Sequence, residues 1–248
     1  MITRVQFQGV EYTMDLSKPI DISIPLRGSS ENPNAWYLSP PQISPVVMDD
    51  FVGSVASGAS TNFNTIVFNP HAHGTHTECI GHITEEFHAV GDSLKQYFFL
   101  CELITVQPIS YQDDLVITKD QLSEVLYGKT PTAVVLRTKP NDDGKLTRQY
   151  SHTNPAYLLE EAALFLRQIG VKHLLVDLPS VDKEKDQGQL ASHKAFWDYN
   201  GNRRLDATIT EFIYVPDNLQ DETYFLNLQI ASFVNDASPS KPVLYQLL

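Results

Sequence analysis

Hydrophobic positions along this chain fall mostly in short blocks, not in long helical stripes. IDISIPL (20–26), FNTIVF (63–68), CELITVQ (101–107), TAVVLRT (132–138) and HLLVDL (173–178) are apolar, rich in β-branched residues and bounded by turn formers. So are TITEFIYV (208–215), YFLNLQIASF (224–233) and residues 242–247. Each predicts a strand. Helical spacing is clearest over 155–169, where Leu158, Ala162, Phe165 and Ile169 recur on one face. Asn154 is placed to cap that helix, Pro155 suits its first position, and Gly170 can end it. A second helix is predicted over 119–127, with Thr118 and Gln121 spaced as a capping box. A third begins at SHKAFW (192–197). Strand 132–138, helix 155–169 and strand 173–178 form one β-α-β crossover. The fold class is therefore α/β with more strand than helix, in a single domain spanning residues 1–248.

The irregular stretches are 28–48, rich in Pro, Ser and Asn, and 183–189 (KEKDQGQ). The first reads as a long ordered loop of the kind that carries function. The second reads as a solvated turn.

Composition excludes several roles. The net charge of −12 disfavours a phosphate backbone, so nucleic acid is not an expected partner. No apolar run approaches the roughly 20 residues that span a bilayer. The opening MITRVQFQGVEYTMDLS lacks the pattern of a secretory leader, so a cytoplasmic location is expected. The two cysteines, Cys79 and Cys101, read as free thiols.

The stretch NPHAHGTHTECIGHI (69–83) holds four of the eight histidines. In an extended segment His76, Glu78, Ile80 and His82 share one face, because strand side chains alternate. Imidazoles and a carboxylate in line suit zinc, and also manganese or iron. Cys79 faces the other way, into the core. His71 and His73 have the wrong parity, but an irregularity at Gly74 would return one of them to the metal side. The competing reading is a histidine-rich loop with solvated rings. Further ligands must come from elsewhere, and His193 and Glu211 are the best remaining pair. Glu211 lies among Ile209, Phe212 and Ile213, where an unpartnered carboxylate is costly. Its alternative is an edge-strand position facing water.

GTHTECIGH resembles the centre of the H-x-G-T-H-x-D-x-P-x-H signature of the bacterial kynurenine formamidase and cyclase-like metal hydrolases. IDISIPL, TAVVLRT, GVKHLLVDLPSVD (170–182), and ASHKAFW with ITEFIYV resemble other segments of that family in the same order. The resemblance implies a swivelling β/β/α-type fold, a homodimer or higher oligomer, and a site with one or two divalent ions, zinc or manganese. It makes His76 a ligand of the first ion, Glu78 a carboxylate shared between ions, and His193 and Glu211 ligands of the second. His82 becomes the general acid/base, with Asp177 and Ser180 near the site.

The departures are specific. The family's first His falls on Ala72, its Asp is Glu78 here, and its Pro is Ile80. Either His71 or His73 replaces the missing ligand, or the site holds one ion, or activity is lost. His71, following Pro70 and freer to fold back across Gly74, is preferred over His73. The reaction implied is hydrolysis of a C–N bond in a small amide, formamide or lactam, with His82 moving the proton, a task for which histidine is the usual carrier. The substrate pocket is expected near Trp36, Tyr37 and Phe63, which suits an aromatic amide. The rival readings are a cyclase or isatin-type lactam hydrolase on the same site, and a non-catalytic metal- or small-molecule-binding homologue.

Overall fold

The structure, a computed structural model, describes residues 1–248. Its main sheet contains β1 (Ile20–Asp21), β2 (His76–Glu78), β3 (Phe98–Val106), β4 (Ala133–Thr138) and β5 (His173–Val176). The remaining strands are β6 (Thr208–Glu211), β7 (Thr223–Ile230) and β8 (Ala237–Gln246). The order is β7-β3-β4-β5-β6-β2-β8-β1, and β7 also pairs with β8. Seven strands thus close into a barrel, with β1 added on the outer edge of β8. β3 to β6 run parallel to one another, which requires a crossover between each pair, whereas β7 and β2 flank them antiparallel. The three predicted helices supply them: α3 (Lys119–Val125), α4 (Glu160–Gln168) and α5 (Ala191–Trp197). Two single turns, α1 (Pro70–His73) and α2 (Val90–Ser93), precede them. No helix is long and apolar enough to cross a membrane.

The parallel strands are buried on both faces, which is why most of them carry runs of apolar residues instead of a strict alternation; β6 (TITE) is the exception. Along β4, Val134 and Leu136 pack with Leu122, Leu166 and Trp197 of the helices. Ala133 and Val135 belong to the other cluster, with Leu103, Leu175, Tyr224 and Leu226. One parity seats the helix layer and the other fills the barrel.

Several boundaries differ from expectation for local reasons. The helix predicted from Pro155 starts at Glu160, because Tyr157–Leu158 extends instead and pairs with Val116–Ile117. Asn154 is no cap; its side chain donates to Asp114. The predicted 20–26 strand pairs regularly only over β1, after which Ile24 N–H donates to the Thr75 hydroxyl instead of to a neighbouring strand. Segment 63–68 does form a strand, Asn64–Val67, but it pairs with Gln42–Pro45 in an arm outside the barrel. The final strand begins at Ala237, five residues earlier than predicted, since Pro239 and Pro242 sit within it. The capping box at Thr118 and Gln121 forms as predicted, and Gly170 follows the end of α4 with φ +93°.

Candidate metal centre

The histidine segment is a turn, a kink, a strand and a second turn. Asn69 precedes α1 and Pro70 opens it, where a missing N–H costs nothing. Gly74 then takes φ +152°, a conformation that side-chain-bearing residues avoid. This reverses the chain into β2, which lies between β6 and β8. Its register sets His76 opposite Glu211 on one side and Pro239 on the other. After Glu78 the chain does not stay extended: Ile80–His82 is a 3₁₀ turn. His82 therefore reaches the site by a turn, not by strand alternation. Gly74→Ala is expected to destabilise the protein by about 1 kcal/mol or more. An unchanged urea midpoint would show that the kink tolerates a side chain.

The turn brings His71 in and takes His73 out. His71 Nδ1 lies 3.1 Å from Glu78 Oε2 and its Nε2 3.0 Å from Asp236 Oδ2. His73 is buried apart, with Nδ1 accepting from Asn69 N–H (2.8 Å) and Nε2 on Ser39 O (3.0 Å). Both its ring nitrogens are occupied, so it has none to offer an ion. His76 Nδ1 donates to Gly74 O (3.0 Å), which leaves Nε2 bearing the lone pair. That nitrogen faces Glu211 Oε2 at 3.5 Å and Glu78 Oε2 at 3.9 Å. His193 Nε2 lies 3.0 Å from Glu78 Oε1, and its Nδ1 is held by Asp182 at 2.5 Å. Glu211 Oε1 accepts from Val181 N–H. His82, partly exposed, lies 3.8 Å from Glu78 Oε2 and 3.4 Å from Asp236 Oδ2.

Burial and neighbouring charges divide the protons of this cluster unevenly. Burial works against a charge on His71, yet Asp236 and Glu78 prevail and raise its pKa to about 10. Burial likewise opposes His193, but Asp182 and Glu78 hold it well above its ordinary value. His76 is pushed down to about 4 by burial, with repulsion from His71 adding. Glu78 is disfavoured by burial, but the surrounding His82, His193 and His71 keep it well below the usual carboxylate range. Burial and the charge of Glu78 push Glu211 well above that range.

The donor set fits a divalent ion. Three buried atoms here lack an aligned hydrogen-bond partner: His71 Nδ1, His76 Nε2 and Glu78 Oε2. His71 Nδ1 and Glu78 Oε2 stand 3.1 Å apart as an ion pair without an aligned hydrogen bond, and neither has a hydrogen-bond partner elsewhere. Buried polar groups are rarely left so. These three residues form one group with ligand atoms within 4.8 Å of one another, and Glu78, His82 and His193 form another. A ring nitrogen with its partner nitrogen fixed by a carboxylate or carbonyl is the usual state of a ligating histidine.

A cavity of about 350 Å³ opens over this cluster, lined by His71, His82, His193, Glu211, Trp36 and Leu38 among others. Trp36 holds its place by donating to His71 O. Tyr37 stays largely exposed, tied to Glu184, and Phe63 is out on the arm away from the cavity. Residues 183–189 are not merely a solvated turn: Lys183, Glu184 and Asp186 form one wall of the cavity. Ser180 lines it too, whereas Asp177 is turned to Lys145 and Thr138 beside a separate cavity. Cys79 is buried, with Sγ on His88 O. Sequence reasoning missed Asp182 and Asp236. The first lay in the quoted segment 170–182 without a role, and the second had no local signal.

No curated protein sequence matches the chain significantly. Among solved structures it is similar to a predicted metal-dependent hydrolase from Bacillus stearothermophilus, at 18% identity and a TM-score of 0.63, covering 92% of this chain and 98% of that one. It is similar to an isatin hydrolase bound to the product analogue thioisatinate, at 14% identity and a TM-score of 0.68, covering 93% of each chain. Isatin hydrolase A from Ralstonia solanacearum gives 16% identity and a TM-score of 0.64, covering 92% of this chain and 91% of that one. At these identities the likeness is one of fold. The Cyclase family model matches residues 14–183, a span that holds His71, His76, Glu78 and His82. With more than half of its length matched, the chain belongs to the Cyclase family.

Proposed function

We propose that the chain is a metal-dependent hydrolase, a single domain that opens a C–N bond in a small amide, formamide or lactam. The observation that carries the reading is the convergence of three buried ligand atoms without hydrogen-bond partners, on His71, His76 and Glu78, beneath a cavity that His71, His82, His193 and Glu211 line. His71, His76 and Glu78 would hold one ion; Glu78, His193 and Glu211 would hold a second where two are bound. Imidazole and carboxylate donors suit zinc or manganese. When bound, the ion supplies Lewis-acid polarisation of the substrate carbonyl and of water.

The chain's own residues supply the rest. His82 stands at the cavity with Nε2 on the inner side and Nδ1 toward Asp236. It is the group that takes a proton from water and returns it to the leaving nitrogen. Trp36 and Leu38 offer an apolar wall for an aryl group, and the isatin hydrolases among the structural relatives make aryl lactams the second class to test beside aryl formamides.

The test is a metal-loaded activity screen over aryl formamides, lactams and cyclic imides. Turnover that vanishes with chelator and returns with zinc or manganese is expected for at least one class. A protein that takes up no divalent ion at micromolar concentration would instead be a non-catalytic homologue.

A further inference from the structure

We propose that Asp236 is a positioning residue that fixes the ring protons of both His71 and His82, so that His71 Nδ1 becomes the ligand that the methyl of Ala72 cannot supply. The inference rests on the metal-centre reading above. A single oxygen, Asp236 Oδ2, stands 3.0 Å from His71 Nε2 and 3.4 Å from His82 Nδ1. The two rings are stacked, with centroids 4.2 Å apart and planes 27° from parallel. A carboxylate only accepts, so it draws the N–H of each ring to the nitrogen facing it. When an ion displaces the proton that His71 shares with Glu78, the one N–H left on each ring stays on the nitrogen facing Asp236, and the lone pairs of His71 Nδ1 and His82 Nε2 turn toward Glu78.

The backbone holds Asp236 in place from both sides. Its carbonyl accepts from Cys79 N–H, the Asn235 carbonyl accepts from Val90 N–H, and Ala237 pairs with Glu78 across β2 and β8. The carboxylate is thus built into the same strand pair that carries the ligands. Trp36 fixes the other end of His71 through its carbonyl.

Asp236 could instead be a ligand, since His71, His82 and Asp236 form a third compact group. The unpartnered atoms decide against this. His71 Nδ1, His76 Nε2 and Glu78 Oε2 all lie on the Nδ1 side of the His71 ring, whereas the Nε2 side is already satisfied by Asp236. A carboxylate behind a ligating histidine raises its basicity and fixes its orientation, and losing one typically costs about 10–100-fold in metal affinity.

The experiment measures Zn²⁺ affinity by competition with a chromophoric chelator, and the visible spectrum of the Co²⁺-substituted protein. The full-length chain is compared with Asp236→Asn, Asp236→Glu, His71→Ala, and His71→Ala combined with Asp236→Asn. Asp236→Asn is expected to weaken Zn²⁺ binding about 10–100-fold and to shift the Co²⁺ bands, with Asp236→Glu recovering part of the loss. In the His71→Ala background, adding Asp236→Asn should cost nothing further. Wild-type affinity in Asp236→Asn overturns the proposal. So does an equal loss in both backgrounds, which would make Asp236 a direct ligand. Wild-type protein that binds no ion would overturn the metal centre itself, and this inference with it.

Discussion

His82→Ala is expected to keep its divalent ion and lose about 10²–10⁴ in turnover, the usual contribution of a positioned general acid/base. Metal retention follows from the geometry. The atoms left without partners belong to His71, His76 and Glu78, and His82 contributes none of them. Its ring is partly exposed on a 3₁₀ turn, so truncation leaves no large buried cavity, although it removes the stack on His71 and the contacts to Asp236 and Glu78. What is lost is the proton carrier at the cavity mouth. The measurement pairs kcat on the best substrate from the screen with metal content per chain. Unchanged turnover would remove His82 from proton transfer. A lost ion would instead make it a ligand, in the group it forms with Glu78 and His193.

The parts of this molecule that were legible in its sequence share a physical cause. Strands β3 to β5 are buried on both faces, so each carries a run of apolar residues that is visible in the sequence. The capping box of α3 is contained within four residues. Residues 69–83 were legible as a candidate site because their ligand types lie close together along the chain. Glu211 stood out because a carboxylate between buried apolar residues has to be explained.

What was illegible depends on contacts between distant segments. The N-terminal hairpin, Ile2–Phe7 with Val10–Asp15, was not predicted, although ITRVQF-QG-VEYTMD alternates around a two-residue turn with positive φ at Gln8 and Gly9. This hairpin is the local exception. Asp236 differs: it reaches His71 only because β8 pairs with β2, and the start of β8 is disguised by Pro239 and Pro242. Strand parity does not separate His71 from His73 either. It requires a kink at Gly74, but only the helical turn of α1 decides which ring swings inward. His73 meets Asn69 and Ser39 instead, and nothing in the spacing of HAHGTH shows that.

Removing His76 is expected to cost the centre its ion. His76 is fully buried, and its Nε2 points at Glu211 and Glu78 with no hydrogen bond of its own. Loss of a residue that only orients a ligand costs about 10–100-fold in affinity, so His76→Ala should exceed about 100-fold and abolish turnover with it. Stoichiometric ion in the purified variant would take His76 out of the ligand set. Because alanine leaves a void, Glu211→Gln serves as the volume-conserving companion, and here the sign depends on the ion. In the metal-free chain the folded pKa of Glu211 is raised well above 4.5 by burial and by Glu78. Stability from such a group is fully present below its unfolded pKa and is lost as pH rises through the folded one. His71 acts in the same direction: its contribution is complete below 6.5 and is lost as pH rises through about 10. His76, held down to about 4, works the opposite way and adds stability as pH rises to 6.5, so chelated wild-type protein should weaken from about pH 7 to pH 9, and Glu211→Gln should weaken less. A bound ion displaces the protons that stand in for it, so the order reverses in zinc: wild type becomes the more stable of the two. Urea midpoints across that range, with chelator and with zinc, read both effects. Identical pH slopes for the two proteins in chelator would mean that Glu211 does not carry the proton assigned to it.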